Sequence, residues 1–177
     1  MAVVIRAVVL TVSDACARGE RIDTSGEALV QLLSEIGAEI VMKQIVSDDL
    51  DGLAKTLRAQ AELKDVNLIV TTGGTGFGPR DNTPEATLKV IEREAPGLAE
   101  AMRSETLKHT PMAMISRGVC GIRSDTLIVN LPGSPKAVEE SFAVIRPVLS
   151  HAVALLAGQT RHSSDDNAVP DPRSQTK

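Results

Sequence analysis

Thr71-Thr72-Gly73-Gly74-Thr75-Gly76-Phe77-Gly78-Pro79-Arg80-Asp81-Asn82-Thr83-Pro84 is the stretch that decides how this chain folds. The apolar run Val66-Asn67-Leu68-Ile69-Val70 leads into it and reads as a buried parallel strand. Thr83-Pro84-Glu85 leads out of it, with an N-cap, a proline at the first helical position and an acid in the first turn. A glycine-rich loop therefore joins the carboxyl end of a strand to the amino end of a helix. In open α/β sheets ligands bind at that edge, and anionic groups are favoured there. Arg80 and Asp81 add one cation and one carboxylate at the rim. The P-loop pattern needs Gly-Lys-Ser/Thr, and no lysine follows these glycines. The dinucleotide pattern G-x-G-x-x-G fits Gly74 and Gly76, then meets Pro79 where the last glycine belongs. Both standard phosphate loops fail, which also disfavours a nicotinamide-linked oxidoreductase. The plain alternative is a strand–helix turn that binds nothing.

Upstream, Val3 to Thr11 is a β-branched run expected as the first strand, ending in Val12-Ser13-Asp14. A polar loop from Ala17 to Gly26 follows, longer than a connection needs and so a candidate for function. Ser13, Asp14, Asp23 and Ser25 are either turn and cap residues or ligand contacts. Leu29, Leu32, Leu33 and Ile36 fall at helical spacing, with Gly37 as the stop. Glu39 to Val46 reads as the second strand. Ser47-Asp48-Asp49 then caps a helix with Leu50, Leu53, Ala54, Leu57 and Ala61 inward. Either aspartate serves as a simple N-cap, yet this strand delivers its carboxylates to the edge where the glycine loop lies.

Downstream, Thr87, Val90 and Ile91 mark one helix, broken at Ala95-Pro96-Gly97; Leu98, Ala101 and Met102 mark another, ending near His109. Val119 to Ile122 and Thr126 to Leu131 read as a hairpin or two paired strands. Pro132-Gly133-Ser134-Pro135 starts a last helix that Pro147 should kink or split. Residues 1–158 make one domain, and the polar, proline-punctuated stretch 159–177 reads as a disordered tail.

A net charge of −4 and a pI near 5.4, with no Trp or Tyr, argue against nucleic acid. Cys16 and Cys120 form no C-x-x-C pair, so a reducing, cytoplasmic setting is expected, and each thiol is most simply a packing residue. No apolar stretch reaches the ~20 residues of a membrane span. The three histidines lack metal-site spacing.

Four blocks in order resemble the molybdopterin adenylyltransferase family, which activates the pterin of the molybdenum cofactor with ATP. They are Thr11-Val12-Ser13-Asp14 with Gly19, Asp23, Ser25 and Gly26; Val46-Ser47-Asp48-Asp49; Thr72 to Gly76 running through Arg80 to Thr87; and Ser116-Arg117-Gly118 continuing through Gly121-Ile122-Arg123 to Asn130-Leu131-Pro132-Gly133-Ser134-Pro135. The resemblance implies a three-layer α/β sandwich, with a mixed, mainly parallel sheet and helices on both faces. It implies a homotrimer that adenylylates molybdopterin using ATP and magnesium, and a molybdenum-insertase partner. It implies two catalytic, metal-holding acids, Asp48 and Asp81. Substrate contacts would come from Ser13, Asp14, Gly73, Gly74, Thr75, Gly76, Arg80, Ser116, Arg117, Pro132, Gly133 and Ser134. A molybdopterin carrier or scaffold of the same fold, without turnover, is the alternative. Two positions depart from the family pattern: Ala15 where Arg is common, and Glu27 where Pro is common. The first removes an anion contact, for which Arg18 or Arg21 is the candidate replacement.

Overall fold

The computed structural model describes residues 3–159, so the expected tail lies, from residue 160 onward, outside the described residues. Six strands form one mixed sheet in the order β2-β1-β3-β6-β5-β4. They are β1 (Arg6–Val12), β2 (Glu39–Val46), β3 (Leu68–Thr72), β4 (Arg93–Glu94), β5 (Cys120–Arg123) and β6 (Thr126–Leu131). The first four strands of that order run parallel; β5 is antiparallel to both β6 and β4.

Alternation along the buried strands divides the core into two layers. Ala7 and Val9, Leu68 and Val70, and Leu127 and Val129 face α2 (Thr24–Glu35), α5 (Pro96–Leu107) and α6 (Pro135–Leu156). Val8 and Leu10, Ile69 and Ile128 face α3 (Leu50–Ala61), with Ala86 of α4 (Thr83–Leu88) on the same side. The result is the expected three-layer sandwich. Because β1 leads outward to β2 while β3 neighbours β6 on its other side, the strand order reverses between β1 and β3. Ligand crevices in such sheets open at the carboxyl ends of the strands flanking that point. Those ends are Val12-Ser13 and Thr72-Gly73.

Several local expectations shift. β3 begins two residues late and takes in Thr71 and Thr72, which are wholly buried opposite Asn130 and Leu131. Asn67 precedes it as a side-chain clamp: its Oδ1 accepts from Arg6 N–H and its amide donates to the Val4 carbonyl. The helix expected through Val90 and Ile91 stops at Leu88. The chain there turns to pair with β5, Glu92 N–H donating to the Ile122 carbonyl at 2.8 Å, which creates the two-residue β4. Pro147 does not split the last helix, and α6 runs 22 residues through it.

Candidate active site

The glycine loop is fastened from three sides. Gly73, with φ +104°, donates its N–H to the Leu131 carbonyl, and an added Cβ would lie 2.3 Å from the Val12 carbonyl oxygen. Only glycine lets the ends of β1, β3 and β6 approach this closely. On the helix side, the buried Thr83 hydroxyl donates to the Gly73 carbonyl at 2.9 Å and Thr83 N–H to the Gly74 carbonyl at 3.0 Å. Asn82 is therefore the cap position of α4, while Thr83 serves the loop. On the third side stands Arg117. Its backbone N–H donates to the Thr75 carbonyl, and its guanidinium donates to the carbonyls of Gly76 and Asp81 and pairs with Glu85. Arg117 holds the loop and lines neither of the two compartments that open on either side of Gly74 and Asp81.

Held in this way, the loop leaves the N–H groups of Gly74, Thr75 and Gly76 without an acceptor among the described residues. Three consecutive amides with no partner suit an anion.

The two aspartates expected to cap α3 divide the work. Asp49 caps the helix, accepting from Gly52 N–H at 2.7 Å. Asp48 is thereby released to the strand edge, where it is bound reciprocally to Asp14: Asp14 N–H donates to Asp48 Oδ2 (2.7 Å) and Asp48 N–H donates to Asp14 Oδ1 (3.0 Å). The Ser47 hydroxyl also donates to Asp14 Oδ1, and Arg80 donates twice to Asp14 Oδ2, at 3.0 and 2.7 Å. These bonds, the Ser47 hydroxyl foremost and then Arg80, hold the Asp14 carboxyl down at about 2. Burial pushes the Asp48 carboxyl upward, and the charges of Asp14 and Asp81 add to that against the pull of the Asp14 amide.

Asp81 Oδ2 accepts from Gly78 N–H at 2.8 Å. Asp48 Oδ1 and Asp81 Oδ1 accept no hydrogen bond among the described residues. Asp48 Oδ1 also lies 3.2 Å from where a Gly74 Cβ would stand, so it sits against the loop.

Two compartments open on either side of Gly74 and Asp81. One, of about 410 Å³, runs from Thr75, Gly76 and Ser116 between α5 and α6, with Met102 and Met112 among its walls. The other, of about 210 Å³, is lined by Ser13, Cys16, Arg21, Asp23, Asp48 and Gly73. Gly74, Asp81 and Gly133 line both.

Of the residues singled out in the sequence, Ser13, Gly73 and Asp48 fall in the smaller compartment, and Thr75, Gly76, Ser116, Pro132 and Ser134 in the larger. Asp14 and Arg80 stand beside them as an ion pair and line neither. Ser13 and Ser134 also cap helices, accepting from Cys16 N–H and Ala137 N–H. Of the two arginines proposed to replace the one missing at Ala15, Arg18 is engaged by Glu20, whereas Arg21 lines the smaller compartment and forms no ion pair among the described residues. Glu27 pairs with Lys43 beside Asp23. Cys120 is buried and its thiol is pushed up to about 12, which makes it a packing group. The α5 wall of the larger compartment carries no motif, and only the packing of α5 on α6 reveals it.

Among the described residues no cluster of three or more His, Cys, Asp or Glu is arranged around a metal position, and no helix is long and apolar enough to cross a membrane.

Comparison with known proteins finds a family described as "Probable molybdopterin binding domain" that matches residues 8–151. The fruit-fly (Drosophila melanogaster) "Molybdenum cofactor synthesis protein cinnamon" is 48% identical over 149 residues, which are 84% of this chain and 25% of that protein. The chain thus spans a quarter of that relative's length. A "Molybdopterin adenylyltransferase" of Helicobacter pylori is 39% identical over 161 residues, covering 90% of this chain and 92% of the relative. Among solved structures, the molybdopterin biosynthesis enzyme MoaB of a Thermus species superposes with a TM-score of 0.82 at 49% identity, covering 87% of this chain and 97% of that one.

Proposed function

The chain belongs to the family described as a probable molybdopterin binding domain, and from that premise we propose that it is a nucleotidyltransferase that adenylylates molybdopterin with ATP. The observation that carries this reading is the meeting of two compartments at Gly74 and Asp81, beside amides and two carboxylate oxygens that have no partner among the described residues. A carrier needs one compartment; a two-substrate transfer needs two that touch.

In this reading the pterin occupies the larger compartment beside Ser116, and the ATP phosphates enter the smaller one. An oxygen of the pterin's terminal phosphate attacks the α-phosphorus of ATP. The bond from that phosphorus to the bridging oxygen breaks, and pyrophosphate leaves. Little covalent chemistry is asked of the protein, so its contribution is positioning and charge neutralisation. The Gly74–Gly76 amides orient the phosphate that straddles the compartments. Arg21 and Arg80 supply positive charge, Arg80 being poised on Asp14 at the rim.

The donor set fits a hard divalent cation: among the described residues Asp48 and Asp81 each keep a carboxylate oxygen without a hydrogen bond, and burial makes an uncompensated charge on Asp48 costly. Asp48 and Asp81 would hold magnesium, which would supply positive charge against that of two adjoining phosphate groups. The exposed apolar residues Val41, Met42 and Ile45 of the edge strand β2 favour a homo-oligomer, proposed as a trimer. Relatives in which this domain makes up only part of a longer chain favour delivery of the product to a molybdenum-inserting enzyme.

Calorimetry separates this activity from a carrier. ATP should bind with magnesium and weaken sharply when EDTA removes it, while molybdopterin binding persists in both conditions. Failure of ATP to bind at millimolar concentration with magnesium and molybdopterin present would leave the carrier.

A further inference from the structure

The wall of the larger compartment carries a carboxylate that the transfer chemistry does not use. Glu140 lies on α6, on the same helical side as Ser134, Ala137 and Ser141, all of which line the cavity. Its side chain is 21% exposed, and its sole ion-pair partner among the described residues is Lys136 at 3.8 Å. Lys136 is itself 82% exposed, so that pairing is a weak surface contact and does not account for an acid turned toward an apolar cavity. Several of the other polar side chains of the cavity are engaged within the fold. Arg103 donates to the Gly118 carbonyl, Thr106 to the Met102 carbonyl, and Asn130 is satisfied by Thr71, Thr87 and Val119.

Position along the helix gives this acid a meaning. Ser134 begins α6 beside the glycine loop, since a Cβ added to Gly133 would touch Gly73 Cα at 3.2 Å. Glu140 follows six residues later, roughly 9 Å along the axis at helical rise. A ligand whose phosphate sits on the Gly74–Gly76 amides would carry a fused bicyclic ring of ordinary length to that depth. The amino-pyrimidinone edge of a pterin presents two adjacent donors, the ring N3–H and the 2-amino group. A carboxylate is acceptor-only and takes both. Adenine presents a donor beside an acceptor there, which leaves one carboxylate oxygen facing a lone pair.

We propose that Glu140 is the specificity-determining residue of the larger compartment, accepting from N3–H and the 2-amino group of the pterin and excluding adenine from that side. This rests on the assignment of the pterin to the larger compartment, and it names the group that reads the ring.

The test uses two probes, 6-hydroxymethylpterin phosphate and its 2-oxo (lumazine) counterpart, titrated by calorimetry into wild type, Glu140→Gln and Glu140→Ala. Wild type should prefer the pterin by about tenfold or more, the worth of one charge-assisted hydrogen bond. Glutamine offers one donor and one acceptor, so Glu140→Gln should reverse the preference, while Glu140→Ala should abolish it. A merely structural role for Glu140 would weaken both probes alike. Retention of the wild-type preference in both variants, or no preference in wild type, overturns the proposal. Pyrophosphate release from ATP and molybdopterin, measured on the same preparations, keeps the two readings apart. A reversed preference without turnover in wild type supports the role of Glu140 and removes the enzyme; turnover without the preference does the opposite.

Discussion

Replacing Gly74 and Gly73 separately by alanine should separate the chemistry of the loop from its architecture. Gly74 sits at φ +64°, where a residue with a Cβ costs about 1–2 kcal/mol. The new Cβ would stand 2.4 Å from Thr83 Oγ1 and 3.2 Å from Asp48 Oδ1. Thr83 must then swing away from the Gly73 carbonyl, giving up a hydrogen bond worth about 1 kcal/mol. The sum, about 2–3 kcal/mol, corresponds to a fall in Tm of roughly 4–12 °C for a domain of this size. Asp48 is pushed as well, so turnover should drop beyond what the melting change explains. In Gly73→Ala the collision is with backbone: the Cβ would lie 2.3 Å from the Val12 carbonyl oxygen and 3.3 Å from its carbon, at φ +104°. Two strand ends have to separate, and no side chain can give way. Circular-dichroism melting should therefore rank Gly73→Ala below Gly74→Ala, while turnover at 25 °C shows Gly74→Ala as far less active than its folded fraction allows. A Gly74→Ala protein that melts and turns over as wild type does, or a Gly73→Ala protein more stable than Gly74→Ala, would refute this account of the loop.

Asp14 should shape the acid limb of stability. Its carboxyl is held at about 2 against an ordinary 3.8, so its contribution is present above the ordinary value and is lost as pH falls from about 4 to about 2. Asp48, shifted the other way, opposes folding once it is charged. Tm measured against pH should thus fall less steeply over that window in Asp14→Asn than in wild type; equal slopes would contradict the hydrogen-bond assignment. Arg117→Lys keeps the charge but reaches at most one of the three acceptors that the guanidinium spans. Even discounted for partial exposure, the loss should be about 2 kcal/mol, a few degrees in Tm, with turnover reduced because Asp81 is no longer fixed. Wild-type melting would show that the loop holds its shape without Arg117.

Strand runs and glycine punctuation carried most of the architecture, because β1, β3 and β6 are buried on both faces and are therefore apolar almost without interruption. What local patterns missed was decided by partners distant in sequence. Thr71 and Thr72 look like loop residues until β6 is placed beside them, and Val90 looks helical until β5 captures Glu92. Pro147 is tolerated within α6 despite its missing N–H. At the site, Asp48 and Asp49 were indistinguishable by capping statistics; the Asp14 amide and the Gly52 amide tell them apart. Arg117 was expected near the substrate and is occupied by the loop carbonyls, a role no motif encodes. The α5 wall and Glu140 were invisible because a cavity between two helices belongs to neither sequence.

The most direct test of the proposed adenylyl transfer is pyrophosphate release from ATP, magnesium and molybdopterin by wild type beside Asp48→Asn and Asp81→Asn. Pyrophosphate should appear only when molybdopterin is present, and each variant should be slower by about 10² or more if its charge acts in the transition state. No pyrophosphate from wild type, or wild-type rates in both variants, would contradict the account.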